Sequence, residues 1–265
     1  MIAYHNDPAI KAKLLADLQA HADADRLVKG QYWENGKGCA VGCTLHSLGA
    51  AGRASNHAQY ETCLGIPQML AQLEDRIFEG LPTADAMRWP MRFSAAITPG
   101  ADLSLVGWKF LHWLLTQGLP RVKDSAVKAA IAQCADVLLP LTRGESFDRA
   151  TDAAAHAAIR AAARAATYAE TDANHAAARA AWAAAYAATD AATNTARSAH
   201  ATARTATNAA TNAAAYAAAN AATDAARAAA DVAIDAEVDA KARAAADAAY
   251  QRMADKLVQL LEDAK

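Results

Sequence analysis

Residues 151–170 read TDAAAHAAIRAAARAATYAE, and the same idiom runs on to Tyr250. Of the 100 residues from Thr151 to Tyr250, 53 are alanine, the residue with the highest helix propensity. All twelve glycines and all seven prolines lie at or before Gly144, so neither strong chain punctuator interrupts the chain beyond that point. The other residues form a stripe. It starts Asp152, His156, Arg160, Arg164, Tyr168 and ends Asp239, Arg243, Asp247, Gln251, in steps of three or four that average 3.8. A repeat longer than 3.6 drifts around a straight helix and predicts a right-handed supercoil.

A single helix from Ser146 to the end of the chain would extend about 180 Å at about 1.5 Å per residue. Thr171-Asp172, Thr193-Asn194-Thr195 and the threonine-rich stretch Thr202 to Thr211 offer turn sites, because their side chains compete for backbone hydrogen bonds. The reading is therefore a tail folded back into a bundle or hairpin stack. Each methyl buries little area, so such a tail must pack on itself, on the first domain or on another copy. The stripe, mixing Arg, His, Asp, Asn and Tyr, reads as a solvated face or as a recognition face for a protein partner or self-association, with Trp182, Tyr186 and Tyr216 as its anchors. Ala/Thr-rich helices resemble type I antifreeze proteins, which use threonines at an eleven-residue interval, but Thr193, Thr195 and Thr202 are followed eleven on by Arg204, Ala206 and Ala213, so that register is absent. The end of the chain, with Tyr250, Met253, Leu257, Leu260 and Leu261, is an ordinary amphipathic helix expected to dock as a terminal cap.

Ahead of this tail the chain reads as capped helices with no period-2 strand, giving an all-α protein divided into residues 1–144 and 145–265. Asp7 caps a helix that Pro8 opens, with Ile10, Leu14, Leu18 and Leu27 at helical spacing and Gly30 as its end. Ser55 is expected to cap a short helix closed by Gly65, and Pro67 opens another carrying Met69, Leu70, Leu73, Ile77 and Phe78. Thr83 starts a segment that Pro90 kinks or splits. Asp102 or Ser104 caps the apolar run Leu105 to Leu115, and a last helix spans roughly Asp124 to Leu139. Glu74, Asp75 and Glu79 read as a solvated acidic face.

Charge narrows the partners. Net charge is −2, from 26 basic and 28 acidic residues, so nothing calls for nucleic acid or an anionic membrane. The start, MIAYHNDPAIKAK, has no apolar run behind a basic end, and no stretch is apolar enough to span a bilayer. A cytoplasmic protein is the expectation. Four cysteines are too few for a disulfide scaffold in 265 residues, yet Cys39, Cys43 and Cys63 crowd together, as metal-binding or reactive thiols do.

The densest chemistry is residues 32–46, YWENGKGCAVGCTLH. Gly36 and Gly38 make a turn from which Cys39 opens a helix, and Cys39, Cys43 and His46 then share one face. His57 and Glu61 stand at the same i, i+4 relation further on. Three readings fit. Cys39, Cys43, His46 and His57 supply two sulfurs and two nitrogens, a set suited to zinc, although the spacing departs from C-x2-C. Alternatively Cys39, at a helix start beside Lys37, has a lowered thiol pKa and acts as the nucleophile of a hydrolase or transferase. His57 or His46 is then its base, oriented by Glu61 or Asp25. In the third reading the cysteines are small buried hydrophobes and the histidines hydrogen-bonded core residues. His21, on the apolar side of the first helix with Asp25 one turn later, lines the same pocket or is itself core.

ENGKGCAVGCTLH, with HAQYETCLGIPQMLAQLEDRIFEGLP, Trp89-Pro90 and the Lys109 to Leu115 stretch, resembles an uncharacterised family of bacterial and phage-associated proteins. The likeness covers roughly residues 1–120. The alanine-rich tail is similar to repeats of bacterial proteins described as putative immunity proteins. The resemblance implies a binding or regulatory role in phage–host conflict or defence and supplies no reaction. Residues 48–55 lengthen the link between His46 and His57 relative to that pattern.

Overall fold

The structure, a computed structural model, describes residues 1–50, 56–118, 132, 135, 136, 138–145 and 236–265. The supercoil, the turn sites, the anchors Trp182, Tyr186 and Tyr216, the Ser55 cap and Cys134 lie outside the described residues. The expected boundary after Gly144 leads straight into the undescribed residues 146–235. Among the described residues the fold is all-α, with only isolated bridges such as Leu27 with Gly38 in place of strands. No described helix is long and apolar enough to cross a membrane.

Among the described residues eight α-helices run in chain order: α1 Pro8–Asp23, α2 Ala40–Ser47, α3 Gln59–Leu64, α4 Gln68–Gly80, α5 Thr83–Ala86, α6 Trp89–Ala96, α7 Val106–Trp113 and α8 Ala236–Glu262. Contacts divide the chain into two compact units, Met1–Gly107 with Met253–Lys265, and Trp108–Arg252. In the second unit the described residues include a π-helical turn, Leu114–Gly118, and a 3-10 turn, Pro140–Arg143.

The first unit is built by the capping chemistry of its sequence. Asp7 Oδ1 accepts from Ala9 N–H at 2.8 Å, Pro8 occupies the first turn of α1, and Leu14, Leu18 and His21 face inward. Gly65 closes α3 at φ 63°, a left-handed conformation that glycine takes without steric cost. Pro67 precedes α4, and Trp89, Phe93, Phe78, Ile77 and Leu70 are fully buried around it.

Two expectations change here. The first helix ends at Asp23, short of Gly30: Asp25 turns left-handed at φ 51°, and Arg26 N–H bonds back to His21 O at 2.9 Å. Leu27 then belongs to a loop tied to Gly38, with Val28 N–H on Gly38 O and Gly38 N–H on Arg26 O, each at 2.9 Å. Pro90 does split the segment that starts at Thr83, since α5 ends at Ala86 and Pro90 sits in the first turn of α6, where its missing N–H costs nothing. The acidic face of α4 is not solvated: Glu74 and Asp75 are buried and Glu79 half-buried.

Met253–Lys265, the last turns of α8, belong to this unit, and Met253, Ala254, Leu257, Val258 and Leu261 are buried, whereas Leu260 is half-buried. Asp102 N–H donates to Lys265 O at 3.0 Å, and Arg92 Nη2 pairs with Asp255 Oδ1 at 2.7 Å.

Candidate functional site

The loop between α1 and α2 is pressed onto α2 by two glycines. A Cβ on Gly42 would lie 1.3 Å from the carbonyl oxygen of Tyr32, and one on Gly38 would lie 2.0 Å from it. Only glycine at both positions lets that backbone come so close. Cys39 N–H donates to Gln31 O at 2.7 Å, and Gly30 N–H donates to both carboxylate oxygens of Glu79 at 3.0 Å. Lys29 Nζ adds bonds to the carbonyls of Glu79, at 3.2 Å, and of Leu81. These ties hold the loop on both α2 and the C-terminal end of α4.

Three ligand-bearing side chains converge beneath it. Sγ of Cys39, a carboxylate oxygen of Asp75 and one of Glu79 all lie within 4.8 Å of one another; among the described residues no other trio of His, Cys, Asp or Glu does so. Asp75 is the centre of this group. His57 Nε2 is 3.2 Å from its Oδ2, and, after burial, the Asp75 charge acts on both the Tyr32 hydroxyl and the Cys39 thiol, raising the pKa of each. The Tyr32 and His57 rings meet edge to face at 5.7 Å.

This geometry reverses the expected state of the thiol. Cys39 does cap α2, but burial pushes its pKa up, the Asp75 carboxylate and Glu79 push it further, and the Gly42 N–H acts the other way. Of the thiol's two expected bases, His57 has its Nε2 on Asp75 and His46 stacks on Trp33 at 3.9 Å. Burial likewise lifts the Cys43 thiol to about 12.

Nor do Cys39, Cys43, His46 and His57 gather as one metal set. The Cys43 thiol faces backbone carbonyls, 3.5 Å from Gly38 O and 3.9 Å from Arg26 O. Cys39 is the extended cap of α2, with its Sγ beside Asp75 and Glu79, whereas Cys43 lies inside the helix. Glu61 is a capping residue, its Oε1 accepting from Gln68 N–H at 3.0 Å. Asp25 is exposed in its left-handed turn, and His21 instead meets Ser47, Trp33 and His46.

Asp75 and Glu79 are thus the site residues that sequence reading set aside. Their i, i+4 spacing placed them on one face, but nothing local marked that face as covered. Comparison with protein-family models, curated proteins and solved structures returned no match to this chain.

Proposed function

We propose that the chain is a binding protein whose N-terminal helical unit takes a divalent cation on Cys39, Asp75 and Glu79. The convergence of one sulfur and two carboxylates within 4.8 Å carries this reading. Thiolate and carboxylate oxygen together suit zinc, a borderline-soft ion, better than calcium or magnesium, which prefer oxygen alone. A cation also supplies what the site lacks, since three acidic groups crowd one another and a bound dication favours the thiolate that burial otherwise disfavours. His57, hydrogen-bonded to Asp75, is placed to orient that carboxylate as an outer partner. A fourth position is left for water or a small ligand. A place in phage–host conflict or defence draws only on the resemblance of the quoted segments.

Zinc titration of the metal-free chain, followed by calorimetry and elemental analysis, tests the reading. One ion per chain is expected, with Cys39→Ser and Asp75→Asn each weakening it at least about tenfold. A protein that retains no stoichiometric zinc, or variants that bind as tightly as the parent, would sink it.

A further inference from the structure

We infer that His21 is an acid-sensitive latch that holds the loop bearing Tyr32 and Trp33 against α1 and α2. His21 is only 5% exposed, in the last turn of α1. Its Nε2 lies 3.0 Å from Ser47 Oγ at the end of α2, while its Nδ1 is buried without a hydrogen-bond partner. Around it stand the Trp33 ring at 5.5 Å and the His46 ring at 5.9 Å, both edge to face, and Trp33 and His46 stack at 13° to each other. The Nδ1 of His46 is buried and unpartnered too. Three rings therefore join α1, α2 and the loop, with the His21–Ser47 hydrogen bond beside them.

That arrangement suits a neutral His21. A neutral imidazole has one donor and one acceptor nitrogen, and the Ser47 hydroxyl serves one of them. Protonation makes both nitrogens donors and puts a cation where Nδ1 has no acceptor. Of the charged groups facing it, Arg26 beyond the end of α1 and His46 of α2 oppose the charge. Asp17, one turn earlier on α1, favours it, but Asp17 is itself paired with Lys13 at 2.5 Å. Lys13 also reaches the carbonyl of Ser47, at 3.4 Å. The Trp33 ring offers a partial offset through its π-electrons. Burial first, then Arg26 and His46, hold the His21 pKa below its ordinary 6.5.

A depressed imidazole pKa contributes stability that is present above 6.5 and lost as pH falls through the lower folded value. What loosens is local, because Trp33 carries its neighbour Tyr32, whose ring meets at 5.7 Å that of His57, the partner of Asp75. Acid would thereby free the loop that covers Cys39 and Asp75. The latch stands independently of any bound ion; only its effect on ion release relies on the metal reading.

NMR of the full chain without added metal separates the two. The His21 ring should titrate below pH 6.5, and the Trp33 indole and Tyr32 ring signals should shift with the same midpoint. In His21→Gln the acid shift of Trp33 should be lost. The inference is overturned if His21 titrates at 6.5 or above, or if Trp33 stays put while His21 titrates. Cooperative unfolding of the whole unit before Trp33 moves alone would also overturn it. Should His21→Gln fail to fold, the wild-type titration decides the matter unaided.

Discussion

Glu74 is the most enclosed carboxyl among the described residues. It accepts the Tyr60 hydroxyl on Oε2 at 2.8 Å, its own carbonyl takes the Trp89 indole N–H at 2.9 Å, and its Oε1 is buried without a partner. Burial raises its pKa to about 8, the Tyr60 bond opposes the rise, and neighbouring Asp75 adds to it. The raised value means that the folded state binds a proton the unfolded chain has released. Its contribution is fully present below 4.5 and is lost as pH rises through about 8. Across that window stability should fall with pH by up to about 1.4 kcal/mol per unit. Urea unfolding at a series of pH values should show this slope, and Glu74→Gln should flatten it; an unchanged slope would mean that another group sets it. The thiols differ from one another in access. Cys39 and Cys43 are buried and Cys63 is part-exposed, so iodoacetamide followed by peptide mass spectrometry should label Cys63 well before either. Faster labelling of Cys39 would restore the activated thiol.

Helices were legible from their ends. Asp7-Pro8, Gly65 and Pro67 act within a turn of where they stand, so α1, the close of α3 and the start of α4 could be read from a few residues each. The end of α1 could not, because what stops it is the pairing of residues 26–28 with Gly38, some ten positions on. Nor could the covered face of α4, since Asp75 and Glu79 keep the same spacing in water as in a core. What buries them comes from Tyr32, Cys39, His57 and Gly30, all distant in sequence. The dense segment around Cys39 was therefore visible, and its true partners were not. Gly42 is the element-scale test of this contact. Its replacement by alanine puts a methyl on the Tyr32 carbonyl, and such overpacking against backbone costs about 3 kcal/mol. Chemical denaturation should show that loss, whereas alanine at Gly30, whose Cβ meets nothing within 4 Å, should cost only its left-handed strain of about 1 kcal/mol. Equal losses at the two glycines would mean that the loop does not press on α2.

At the scale of the molecule, the compact N-terminal unit is discontinuous in sequence. Met253–Lys265 joins Met1–Gly107, and the intervening residues leave from α7 and return in α8. The returning segment buries Met253, Ala254, Leu257, Val258 and Leu261 at i, i+3 and i+4 spacing, the amphipathic pattern visible in the sequence. Among its polar contacts are Arg92 with Asp255 and Asp102 N–H with Lys265 O, which help to set its register. The ion pair is exposed on both sides and contributes little, so apolar burial must carry the docking. Leu257 is fully buried, and its replacement by alanine should destabilise the unit by about 2–5 kcal/mol through lost burial and the cavity left behind. Asp255→Ala should shift stability by less than about 1 kcal/mol. Hydrogen exchange distinguishes docking from mere helix formation in α8. If the segment closes the unit, Leu257→Ala should speed exchange not only in α8 but also in α6 around Phe93. If only the amides of α8 respond, the segment is a peripheral helix, and Met1–Gly107 must hold its core without it.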